Sequence, residues 1–114
     1  MTHYTFGFGE RVPCWLAQFT DTPCSGRMDR VHLVPRQLLR RELRKRLTPS
    51  ELDAVLWDER AWVPGCRQHH HELDSSRRLR IPRGLVPGET EVFAREHGLE
   101  YWLEREYGML EEAA

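Results

Sequence analysis

The chain has 114 residues, 39% of them hydrophobic and 31% charged, with a formal net charge of −1. That length fits one domain, or one domain with a helical tail, and so polar a composition leaves only a thin core. No apolar run approaches the roughly 20 residues that a membrane helix needs. The first seven residues lack the basic flank and apolar stretch of a secretory signal, so an intracellular, cytoplasmic protein is expected.

Residues 1–26 are rich in Gly, Pro and Thr and read as loop with short extended pieces. Within them, Pro23-Cys24-Ser25-Gly26-Arg27 has the chemistry of a tight, metal-binding turn. Residues 27–34 alternate polar and apolar side chains, a short strand that Pro35 stops. Strict alternation would put Asp29 and Val31 on one face and Arg30 and His32 on the other. Leu38, Leu39, Leu43 and Leu47 follow helical spacing over 36–47, with arginines on the opposite face. Thr48-Pro49-Ser50-Glu51 is a capping box that starts a second helix, reaching to about Trp57.

Residues 61–63 form a short extended apolar piece, and Pro64-Gly65 reads as a break before a short helix from Cys66 to about Asp74. Residues 75–88 are an Arg- and Pro-rich loop. Two helices are expected after it, 89–97 ended by Gly98 and 99–107 ended by Gly108. Trp57, Trp62, Tyr101 and Trp102 are expected in the core.

The near-neutral total hides a segregation of charge. Residues 27–47 carry eight Arg or Lys against two acidic residues, a net of +6, and residues 89–114 carry eight Glu against two Arg, a net of −6. Such a pattern suits an anionic partner on one side of the protein. It suits equally a solvated basic helix face paired with the acidic tail. Arg77, Arg78, Arg80 and Arg83 form a basic loop that can follow a nucleic-acid backbone or simply lie in water.

Three cysteines, Cys14, Cys24 and Cys66, cannot all close into disulfides within one chain. In a reducing compartment, cysteines near histidines more often bind metal. Cys66-Arg67-Gln68-His69 places a thiolate and an imidazole three residues apart, able to grip one tetrahedral zinc. Cys24 in its turn is the best third ligand, and Cys14 completes a Cys₃His set by elimination. Successive helical side chains diverge by about 100°, so His69, His70 and His71 cannot share one metal. If His69 faces the zinc, His70 is free for a second task. Glu72 and Asp74 can support the histidines as hydrogen-bond acceptors. No Gly-rich phosphate loop and no Ser nucleophile elbow is present.

Asp29-Arg30-Val31-His32-Leu33-Val34-Pro35-Arg36, a basic helix, and then Cys66-Arg67-Gln68-His69-His70 together resemble the HNH, or ββα-metal, nucleases. The similarity is strongest to a compact phage-type branch with a zinc staple, and it covers roughly residues 14–75. It implies an α+β fold: a small zinc-stapled ββα-metal core over residues 1–81, with an acidic helical extension over 82–114. By the same resemblance His32 falls at the general-base position, and His70 at the position that holds a catalytic Mg²⁺, Mn²⁺ or other divalent metal. Cys66 and His69 match the structural-zinc pair. DNA is the implied partner, with phage packaging or recombination proteins beside it in a bacterial host. Arg36, Arg40, Arg41, Arg44 and Lys45 would bind flanking phosphates.

Two positions depart from the pattern: Val31 and Ala61 stand where the family usually carries a metal ligand and an Asn or His. Asp29 is the available substitute ligand. The alternatives are a non-catalytic zinc module of the same ancestry that binds nucleic acid, and a structural protein whose basic helix docks on an acidic partner.

Overall fold

The computed structural model describes residues 3–6 and 10–113, with side chains described over 12–108. It is an α+β protein. The described residues form strands β1 (His3–Phe6), β2 (Glu10–Pro13), β3 (Met28–His32) and β4 (Trp62–Cys66), with helices α1 (Arg36–Leu43), α2 (Pro49–Leu56), α3 (Arg67–Asp74), α4 (Gly88–Glu96) and α5 (Glu100–Ala113). The chain divides into two compact units, residues 1–31 with 63–81 and residues 32–62 with 82–114. The chain passes from one unit to the other between Ile81 and Pro82, and residues 32–62 group with the C-terminal segment.

In the first unit β1 and β2 form an antiparallel pair, with His3 opposite Pro13 and Phe6 opposite Glu10. A 3-10 turn over Trp15–Phe19 follows. β3 pairs with β4 in a second two-stranded sheet. The bonds flanking this pair, Arg67 N–H to Arg27 O at one end and Leu33 N–H to Ala61 O at the other, make it antiparallel. α3 leaves β4 directly, because Cys66 ends the strand and caps the helix, its sulfur accepting from the His69 N–H.

Pro64-Gly65, expected as a break, lies inside β4. Gly65 is there because of packing. A Cβ on it would stand 2.7 Å from Leu16 Cδ1 and 2.8 Å from Val31 Cγ2, both on fully buried side chains. Gly65→Ala is therefore expected to destabilise the fold by about 1–3 kcal/mol through overpacking, read as a lower urea midpoint at unchanged slope. An unchanged midpoint would mean that Leu16 and Val31 yield freely.

In the second unit α1 stops at Leu43, four residues before the end expected from the sequence. After Leu43 the run Arg44-Lys45-Arg46 has no side chain to bury, and the Arg46 N–H bonds back to Leu43 O in a tight turn. Thr48 then opens α2 with the complete capping box read from the sequence. The core gathers Leu33, Leu39, Phe93, Leu99 and Leu103, and Tyr107 donates its hydroxyl to Leu33 O at 2.7 Å.

Gly98, with φ +71, ends α4 as expected. Gly108 does not end α5: it lacks a positive φ, and the helix runs on to Ala113. Trp57 and Tyr101 are not core residues, being 48% and 50% exposed, while Trp62 and Trp102 are partly buried. Among the described residues no helix is long and apolar enough to cross a membrane.

Candidate metal centre

Four segments of the first unit converge on one point. Cys14 follows β2, Cys24 sits in the loop before β3, Cys66 ends β4, and His69 lies in the first turn of α3. Their four ligand atoms all lie within 4.8 Å of one another. Cys14 Sγ is 3.4 Å and Cys24 Sγ 3.9 Å from His69 Nδ1. A tetrahedral zinc, bound about 2.3 Å from sulfur and 2.0–2.1 Å from nitrogen, needs donors about 3.5–3.8 Å apart. The donor chemistry and the spacing both fit such an ion.

The surroundings prepare these atoms to be ligands. The His69 Nε2–H donates to Thr22 O at 2.8 Å, which leaves Nδ1 as the lone-pair nitrogen facing the thiols. The Cys66 N–H points at Cys14 Sγ at 3.2 Å, and the His69 N–H at Cys66 Sγ at 3.4 Å, a polarity that favours thiolates. Burial, and then the neighbouring thiols, push the Cys24 thiol up to about 12, and burial pushes Cys14 up as well. Three converging sulfurs with no positive charge among them resist ionising together, and a bound divalent cation supplies the missing charge. Cys14, reached only by elimination in the sequence, is thus among the converging groups and is buried.

Thr22 and Glu72 complete this side. The Thr22 hydroxyl donates to both Glu72 oxygens, at 2.9 and 3.1 Å, and Gln68 Nε2 donates at 3.1 Å. Burial alone would raise the Glu72 carboxyl, but these bonds hold it below its ordinary range. Through Thr22, Glu72 supports the loop that carries Cys24, where the sequence suggested an acceptor for a histidine ring.

His70 faces a different group of residues, as the helical geometry requires. Its Nδ1 is 2.9 Å from Asp29 Oδ2 and its Nε2 is 2.9 Å from Asp74 Oδ2. The Asp74 bond, working against burial and helped by Asp29, holds the imidazole above its usual pKa. Asp29 is mostly buried and also accepts from Arg67, Nε to Oδ2 at 2.8 Å and Nη2 to Oδ1 at 3.2 Å, with Arg27 at 3.4 Å. Burial would raise the Asp29 carboxyl, but Arg67 and His70 outweigh it and lower it.

Asp29 therefore meets α3 even though strict alternation pairs it with Val31. Burial along β3 runs buried, intermediate, exposed, buried, intermediate, so strict alternation does not hold there. Val31 is fully buried. The place of Arg67 within Cys-Arg-Gln-His carries no signal of this pairing in the sequence. His71 is exposed.

His32 closes β3 and belongs to the second unit. Its Nε2–H donates to the carbonyl of Leu56, the last residue of α2, at 2.9 Å. The exposed Trp57 ring stands edge-on to the imidazole at 6.3 Å, with the Arg36 guanidinium 5.6 Å from its centre. With Nε2 fixed as the donor to a carbonyl, Nδ1 is the basic nitrogen of the neutral ring. Arg36, Arg40, Arg41, Arg44 and Lys45 are all exposed along and just after α1, while Leu38, Leu39 and Leu43 are buried.

No protein-family model, curated protein or solved structure matches the chain.

Proposed function

We propose that this protein is a metal-dependent DNA endonuclease of the HNH type, with zinc as a structural staple and Mg²⁺ or Mn²⁺ at the catalytic position. The observation that carries this reading is the division of labour on α3. In a β3–β4–α3 arrangement, His69 turns into a Cys₃His cluster while the next residue, His70, turns to a carboxylate on β3.

In this reading the His32 imidazole, oriented through its bond to Leu56 O, takes the proton of the water that attacks the phosphodiester. Asp29 and His70 hold the catalytic divalent ion, which when bound polarises the phosphate and stabilises the leaving oxygen. Asp74 keeps the His70 ring oriented. Arg36, Arg40, Arg41, Arg44 and Lys45 bind flanking phosphates.

The test is conversion of supercoiled plasmid to nicked and linear forms by the zinc-loaded protein with Mg²⁺ or Mn²⁺. Cleavage that requires the added ion is expected; failure to cleave with either ion counts against it. A second reading, a non-catalytic zinc module that binds nucleic acid, is favoured by Val31 and Ala61, both fully buried apolar residues at positions where the family carries functional ones. It predicts DNA binding that weakens steeply with salt and no cleavage.

A further inference from the structure

The carboxylate of Asp29 is already engaged by cations. Arg67 grips it with two nitrogens, Arg27 approaches Oδ1, and His70 Nδ1 shares Oδ2 with Arg67. The Arg67 stem is held in place: a Cβ on Gly26, whose φ is +83, would stand 2.7 Å from Arg67 Cβ, so this turn packs directly on it. The Arg67 side chain is nevertheless about half exposed, whereas that of Asp29 is only 12% exposed. A guanidinium is charged at any working pH and recognises carboxylate and phosphate with the same two-pronged geometry.

We infer that Arg67 is a phosphate-responsive clamp on Asp29, so that divalent-metal binding and nucleic-acid phosphate binding are linked through it. The inference rests on the reading of Asp29 and His70 as the divalent-metal pair. For Asp29 Oδ2 and His70 Nδ1 to face one divalent ion, the Arg67 bond to that oxygen must be given up and the Nδ1 proton that Asp29 accepts must pass to solvent. In the free protein only water at its exposed end would replace that bond for Arg67. A DNA phosphate compensates for the loss, because it offers the guanidinium an equivalent anion at the exposed end of the same side chain. Phosphate binding then uncovers Asp29, and the linkage is reciprocal: the metal that takes Asp29 releases Arg67 for the phosphate. Asp74, on the far nitrogen of His70, keeps the ring in register while this exchange occurs.

The experiment is a titration of the zinc-loaded protein with Mn²⁺, followed by electron paramagnetic resonance of the free ion. It is run with and without a short DNA duplex, in a His32→Ala background that leaves the duplex intact. Arg67→Ala keeps the Cβ that packs on Gly26 and is expected to tighten Mn²⁺ binding without DNA by about tenfold, a typical coupling. In the protein with Arg67 the duplex is expected to tighten Mn²⁺ by a similar factor, and in Arg67→Ala to add little. Arg67→Lys, a point charge without the fork, should fall between them. Unchanged or weaker Mn²⁺ binding in Arg67→Ala, at full zinc content, overturns the clamp. So does Mn²⁺ binding that survives Asp29→Asn unaltered. If wild-type protein never cleaves plasmid yet Arg67→Ala tightens Mn²⁺, the nuclease reading fails and the clamp stands.

Discussion

Replacing Cys66 by Ser is expected to leave the first unit unfolded, with bound zinc lost and the circular dichroism signal reduced at every temperature. Cys66 has three duties at one residue: it ends β4, contributes a sulfur to the Cys₃His group, and caps α3 by accepting the His69 N–H. A structural zinc contributes on the order of 10 kcal/mol or more to folding in small domains. Net stabilities of whole domains are only about 5–15 kcal/mol, and here the core around the cluster is small. A strong zinc chelator should have the same effect on wild-type protein, reversed by added Zn²⁺. Cys14→Ser should behave like Cys66→Ser, since its sulfur lies 3.4 Å from His69 Nδ1. A Cys66→Ser protein that melts cooperatively near the wild-type temperature would show that the cluster is only a group of buried thiols.

The second large effect is expected at His32. With the fold and zinc intact, His32→Ala should lower plasmid cleavage by about 10²–10⁴-fold, the usual contribution of a positioned general base. The accompanying loss of stability should be small, about 1 kcal/mol for the hydrogen bond to Leu56 O. His70→Ala should also abolish cleavage, but by a different route: more Mg²⁺ or Mn²⁺ should partly restore it, because that substitution removes a metal ligand and leaves the base in place. Equal cleavage by wild type and His32→Ala would remove His32 from the mechanism.

Much of this architecture is legible in the sequence because it depends on local chemistry. The Thr48-Pro49-Ser50-Glu51 box, the Gly98 stop and the Cys66–Asp74 helix are decided by neighbours within one turn, and each forms where its residues direct. The separation of His69 from His70 follows from helical geometry alone. What the sequence does not show depends on distant partners. Gly65 reads locally as a breaker, yet it is a strand residue because Leu16 and Val31 close over it. Trp57 and Tyr101 read as core by composition, but Trp57 just past α2 and Tyr101 on α5 are each left about half exposed. Strict alternation puts Asp29 on the wrong face because it assumes a flat strand, and the short β3 does not keep it. Arg67 and Thr22 have no local signature, since their roles exist only once β3, the Cys24 loop and α3 have met.

The division of the chain into two units, each made of two separated segments, has a consequence for biosynthesis. Cys14 and Cys24 leave the ribosome early and must wait while all of residues 25–65 are made before Cys66 and His69 follow. Until then neither unit has its full complement of chain, and two thiols of a four-membered group that could hold an ion lack the other two. If the Cys₃His group holds zinc, a cell short of it at that moment would meet the problem in the nascent protein, as exposed sulfur and an unclosed sheet, before any mature molecule could lose a metal.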